Sequence, residues 1–241
     1  TIRDAAGNNA TLTLASPGAS NSLGDSKALV VDGVLPTVTS VTSSTGNGTK
    51  KVGDVIAITI TFSENVTVAG TPQLTLETGS TDAVVNYSSG SGGGTLTFNY
   101  TIASGHASSD LDYKATSSLA LNSGTIRDAA GNNATLTLAS PGASNSLGAN
   151  KALVVDGFAP TISSVSLASD NSTIAVTMSE AVFNTNGGSG AIETTDFALS
   201  ISGGIATLSS NTPSSISISG NVYTLGIPLT GYPPSGGETL T

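Results

Sequence analysis

The stretch TIRDAAGNNATLTLASPGASNSLGDSKALVVDG, Thr1–Gly33, returns at Thr125–Gly157 as TIRDAAGNNATLTLASPGASNSLGANKALVVDG. Of its 33 positions 31 are identical, and the two that differ are neighbours: Asp25 becomes Ala149 and Ser26 becomes Asn150. From Thr1 to Thr125 the offset is 124 residues. Self-similarity at a fixed period marks an array of like domains, and the period places their boundaries. Residues 1–32 then read as the closing strands of one unit, 33–156 as a complete unit, and 157–241 as the opening of a further unit. The chain reads as a window onto a longer array.

Each copy of the repeated stretch holds a polar turn, DAAGNN, an alternating run, ATLTL, a loop rich in Ser, Gly and Pro, and a closing run, KALVV. The complete unit adds VIAITITF (Val55–Phe62), where large apolar residues alternate with Thr or Ala from Ile56 onward. That period of two is the mark of a strand with one buried face. TPQLTLET (71–78), DAVVNY (82–87), TLTFNYTI (95–102) and YKATSSLAL (113–121) read as further strands. Turn clusters such as STGNGTK and SSGSGGGT separate them. Short strands at this spacing, with no amphipathic helix, predict an all-β fold of tandem β-sandwich domains joined by short linkers.

The last unit is of another subtype. FAPTISSV (158–165) parallels VLPTVTSV (34–41), and TIAVTMSEAV (173–182) parallels ITITFSENV (58–66). Yet the distance from the linker Pro to the Glu of the SE pair shrinks from Pro36–Glu64 to Pro160–Glu180, a loss of eight residues. DFALSIS, SSISIS and VYTLGIPL follow as strand-like runs, and no further DAAGN turn comes after them.

Composition narrows the function. With 16 acidic against 7 basic residues the formal charge is −9, so a basic surface able to release phosphate counterions is missing and nucleic acid is not an expected partner. Cysteine is absent, which removes disulfides and thiolate metal sites; tryptophan is absent too. No run of 18 apolar residues spans a membrane in this segment.

Three motifs recur in fixed order: Pro36-Thr37 at the domain start, Phe62-Ser63-Glu64 after the second strand, and Asp128-Ala129-Ala130-Gly131-Asn132 before the last strands. Together they resemble the bacterial immunoglobulin-like (Ig-like) domains found in tandem in surface-layer proteins and giant adhesins. The last unit departs slightly, with Ala159 before its Pro and Met178 in place of the Phe. The resemblance implies secretion to the bacterial cell surface, a structural or adhesive role, and no catalysis.

Strands of a sandwich run alternately between two poles, so the loop after the second strand and the DAAGN turn are both expected at the N-terminal pole. This gathers Asp32, Glu64, Asn65, Asp128 and Asn132 at the domain junction, an oxygen-rich set suited to Ca²⁺. Asp156 and Glu180 are their counterparts at the next junction, and Asp4 and Asn8 are what the first segment retains. The competing reading makes Asp128 and Asn132 the residues of an Asx turn with Gly131 at positive φ. Asp110-Leu111-Asp112-Tyr113 offers a second pair of carboxylates, but it lies just before a strand, where sandwich domains often place a tyrosine corner, and is expected to be a structural turn. His106 is expected to be a solvated loop residue without catalytic company. The glycine-rich SGSGGGT (89–95) leads into a strand and lacks the Lys-Ser/Thr ending of a phosphate loop.

The expected function is a non-catalytic stalk segment of a long, repetitive surface adhesin or filament protein, its partners being the neighbouring domains of the same chain. A glycan- or surface-binding module is the alternative, weakened by the scarcity of aromatics. A filament subunit that self-associates by β-strand complementation is another.

Overall fold

The structure, a computed structural model, describes residues 1–185 and 187–241. Its regular elements are strands, apart from short helical turns. The first of these turns, α1 (Leu23–Ser26), lies in the opening segment. The strands of the complete unit are β1 (Val38–Ser43), β2 (Gly48–Lys51), β3 (Val55–Ala69), β4 (Gln73–Leu76) and β5 (Ala83–Ser89). They continue with β6 (Gly93–Thr101), β7 (Ala107–Ser108), β8 (Leu119–Ala120) and β9 (Thr125–Arg127). The helical turn α2 (Leu147–Asn150) and β10 (Leu153–Asp156) close it.

One sheet runs β1-β3-β6-β5-β4-β8, with β9 added alongside the far half of β3; a smaller one runs β2-β10-β7. β5 changes partner along its length. Ala83–Asn86 pair with β4, and Tyr87–Ser89 with β6. A strand that switches partner curls the larger sheet around its own apolar face, the device by which sandwiches turn corners. The expected period of two holds: Ile56, Ile58, Ile60 and Phe62 of β3 are buried while their neighbours are more open. Facing them are Leu96, Phe98 and Tyr100 of β6. From the closing segment Leu138, Leu147, Leu153 and Val155 join the same core. Each such side chain, fully buried, contributes roughly 1.5–3 kcal/mol.

Beyond the linker, β11 (Ile162–Leu167) and β12 (Thr173–Met178) lead to two short strands, β13 (Ile201–Ser202) and β14 (Ala206–Leu208). Next come β15 (Ile216–Ser219), β16 (Val222–Gly226), β17 (Leu229–Gly231) and β18 (Thr239–Leu240). The order β11-β12-β16-β15 repeats the β1-β3-β6-β5 arrangement. All six residues of β11 are exposed, however, whereas Val41 of β1 is wholly buried.

Several expected strands are shorter or absent. Residues 1–32 contain no strand, although they were expected to hold closing strands. Leu14 and Val31 are 89% and 95% exposed, while their twins Leu138 and Val155 are 3% and 2% exposed. The sequence is the same, so the difference lies in what each copy has to pair with: a strand needs a neighbour to take its backbone bonds and a surface for its apolar face. What is local forms in both copies. Ser22 and Ser146 cap their helical turns alike, each hydroxyl accepting from the backbone N–H three residues on at 3.2 Å. The second ATLTL (134–138) makes a single isolated bridge, Thr37 with Thr135, and Asn133 just before it bridges to Arg127. Of YKATSSLAL only Leu119–Ala120 is a strand, and of DFALSIS only Ile201–Ser202.

Candidate functional site

The entrance to the complete unit is built on a bulge. β3 advances from Thr61 to Val66 while its partner β6 advances only from Thr95 to Gly93. Phe62–Asn65 therefore stand opposite Gly94 alone within one continuous strand, not in the loop that alternation of strands predicts. Bulges bend a strand and re-aim its side chains. Here Ser63 turns toward the incoming chain: its N–H donates to the Thr37 carbonyl at 2.8 Å, and its hydroxyl accepts from the Thr37 N–H at 3.0 Å. The same double bond recurs at the next entrance, between Ser179 and Thr161, at 2.7 and 2.9 Å. The Pro-Thr and Ser-Glu motifs are thus two halves of one latch.

Next to Ser63, Glu64 faces Asp32 of the linker and Asp128 of the DAAGN turn; ligand oxygens of the three lie within 4.8 Å of one another. Asn132 organises the rest. Its side-chain amide donates to Asp128 Oδ2 at 2.7 Å and to the Asp32 and Val34 carbonyls at 3.1 and 3.4 Å. Its backbone N–H donates to Asp128 Oδ1 at 2.8 Å. Gly131, at φ +96°, makes the turn possible. Asn65 is exposed, its amide oxygen lying beside Gly94 of β6.

The Asx turn is autonomous. In the first copy Asp4 Oδ1 accepts from Asn8 N–H at 2.8 Å, and Asp4 Oδ2 from the Asn8 amide at 2.9 Å, with no linker nearby to impose it. What the second copy adds is the reach of Asn132 to the linker carbonyls.

Electrostatically the three acids differ. The Glu64 carboxyl is pushed up by burial and by the charges of Asp32 and Asp128. Burial also raises Asp128, but the bonds from the Asn132 side chain and backbone outweigh it and hold Asp128 below the usual carboxylate range. Among the described residues the one ion pair is Lys114–Asp82, remote in sequence from this group. The arrangement can hold a proton on Glu64 or a hard cation between the acids.

At the next junction Asp156 repeats the linker turn, its carboxylate accepting from Phe158 N–H at 3.2 Å as that of Asp32 accepts from Val34 N–H at 3.0 Å. Asp156 and Glu180 line a cleft of about 770 Å³ with Lys51, Asp54, Phe158 and Phe183. Among the described residues they do not assemble with a third acid as Asp32, Glu64 and Asp128 do.

Two groups, read from sequence as a structural turn where sandwiches place a tyrosine corner and as a solvated residue, each hold another segment. Asp112 and Tyr113 hold the closing segment: Tyr113 Oη donates to the Ala139 carbonyl at 2.6 Å, and Asp112 Oδ2 accepts from Gly142 N–H at 2.9 Å. The Tyr113 hydroxyl is pushed up to about 12, chiefly by burial and then by Asp112. His106 is half-buried, stacked on Tyr100 and bonded through Nδ1 to its hydroxyl at 2.8 Å. The His106 backbone grips the linker: its carbonyl accepts from Gly157 N–H at 2.7 Å, while the Gly157 carbonyl accepts from Gly105 N–H at 2.9 Å. A loop histidine beside a glycine carries no pattern that announces such a contact.

Residues 32–140 match the family model of the bacterial Ig-like domain. No curated protein matches the chain. No helix among the described residues is long and apolar enough to cross a membrane. The matched span takes in the linker Asp32, the whole larger sheet and the acidic junction. The bacterial Ig-like family is generally non-catalytic, and the all-β fold of the chain agrees with the match over residues 32–140.

Proposed function

We propose that this chain is a non-catalytic stalk segment of a long, repetitive bacterial cell-surface protein, carrying a distal part away from the cell. The single observation behind this reading is that both ends of the complete unit are latched to its linkers. Ser63 and Asn132 hold the entering chain, and the His106 loop holds the exiting one. Short linkers with both flanks bonded, and Pro36 and Pro160 just beyond, resist swivelling. A repeat that needs only to contact its neighbour can be copied nearly unchanged, as the repeated stretch is. Electron microscopy of chains with added copies of residues 33–156 tests this. Contour length must grow by one domain length per copy; compact or branching particles overturn it.

A second reading concerns the junction itself, favoured by the convergence of Asp32, Glu64 and Asp128. A divalent cation such as Ca²⁺ there relieves the mutual repulsion and ties linker to domain. A cation that binds only the folded state raises its stability by mass action. Melting in Ca²⁺ and in chelator decides it, and identical curves remove calcium from the account.

A further inference from the structure

The turn between β1 and β2 carries Asn47-Gly48, one of two places in the sequence where asparagine precedes glycine; the other is Asn186-Gly187. Asn47 and Gly48 are both exposed to water. Gly48 sits at φ +108°, and a Cβ there would meet nothing within 4 Å. Backbone conformation, not space, therefore demands the glycine. Asn47 has its own task, since its Oδ1 accepts from the Ala152 N–H at 3.3 Å. Ala152 returns the contact, its carbonyl accepting from the Gly48 N–H at 2.9 Å. These two bonds stand at the head of the parallel ladder of β2 with β10, whose first rung sets Gly48 opposite Leu153.

The fold thus places a dipeptide able to cyclise where β10 begins. With no Cβ on Gly48, its nitrogen can approach the Asn47 side chain unhindered. In that reaction Gly48 N attacks Asn47 Cγ, and the new C–N bond closes a succinimide. The Cγ–Nδ2 bond breaks, and Nδ2 leaves as ammonia with the proton from Gly48 N. Water then adds at Cγ to give aspartate, or at the Asn47 main-chain carbonyl to give isoaspartate. Folding opposes the first step at both reacting groups, because Ala152 holds the Gly48 N–H and the Asn47 amide oxygen at once. Ring closure has to await the opening of that contact, a local event short of global unfolding.

We propose that Asn47-Gly48 is a self-modification site, which deamidates at a rate set by the opening of its contact with Ala152 and whose isoaspartyl product unseats β10 from β2. Aspartate keeps an acceptor oxygen where Oδ1 was and leaves the contact in place. Isoaspartate routes the main chain through Cγ and lengthens it by one atom just before Gly48. Strand pairing depends on register, so Gly48 no longer stands opposite Leu153. The exit linker, which follows β10 directly, loosens with it.

The test ages the full chain in mildly alkaline buffer, folded and in denaturant. Peptide mapping by mass spectrometry follows Asn47 and separates it from Asn186. The folded chain is expected to convert Asn47 about tenfold more slowly, the size of the two bonds to Ala152. Equal rates overturn the protection by Ala152, and no conversion in denaturant overturns the site itself. Hydrogen exchange then reads the consequence. Isoaspartate at position 47 should speed the exchange of the β2–β10 amides, while Asn47→Asp should leave it as in the parent chain. Unchanged exchange in the isoaspartyl chain overturns the unseating of β10. Equal acceleration in Asn47→Asp makes charge the cause and overturns the argument from register.

Discussion

Glu64 and Asp128 sit side by side and titrate in opposite senses. For Glu64 the folded state favours the proton, so its contribution is present at low pH and is lost as pH rises from about 4.5 through its raised value. For Asp128 the folded state favours the charge, so its contribution is present above about 3.8 and is lost as pH falls through its lowered value. Glu64→Gln should therefore raise the melting temperature near pH 7 in chelator and leave it unchanged near pH 4. If calcium binds here, the same variant should abolish any gain from Ca²⁺. Asp128→Asn should destabilise at pH 7 and approach the parent protein at low pH; thermal melts across pH read both. Tyr113→Phe removes one bond to the closing segment while keeping the ring. A loss of about 0.5–1.5 kcal/mol in denaturant unfolding is expected. The acids were legible at this scale because Asx-turn and cation-ligand chemistry leave residue-type signatures. The Ser63–Thr37 latch was not: its two halves lie 26 residues apart, and nothing local links a serine to a particular backbone amide.

Among the elements, the repeated stretch separates what a sequence carries in itself from what its surroundings supply. The helical turns and Asx turns form in both copies, since their bonds close within four residues. The strand at Leu153–Asp156 forms only where β2 and β7 flank it. Alternation predicted β3 well, because Ile56, Ile58 and Ile60 share one buried face. It missed that the strand continues through Ser63–Val66, where a bulge breaks the period. It also overstated ATLTL, whose Thr and Leu alternate in a segment with almost no ladder. The twins provide an internal control. Leu138→Ala should cost about 2–5 kcal/mol, as buried leucines do. Leu14→Ala, at an exposed copy of the same site, should stay within about 0.5 kcal/mol. Chemical denaturation of the two variants side by side checks the pair.

Across the whole molecule, the two linker glycines differ in what surrounds them. A Cβ on Gly157 would meet the Ala103 and His106 carbonyls at 2.5 Å, whereas one on Gly33 meets nothing within 4 Å. Gly157→Ala should push the exit linker out of its grip and broaden the distribution of interdomain distances, while Gly33→Ala should not; double electron–electron resonance between spin labels on the two sides would show it. β10 also gives the chain a direction. It pairs with β2 in parallel over four residues, Leu153–Asp156 against Gly48–Lys51, and leads straight into the exit linker. Tension between Asp32 and Gly157 therefore runs along β10, and the rungs of that ladder are loaded together in shear instead of parting one at a time like a zip. A domain strung this way should bear its highest rupture force when pulled by its own linkers, and a lower one when gripped across the sheet.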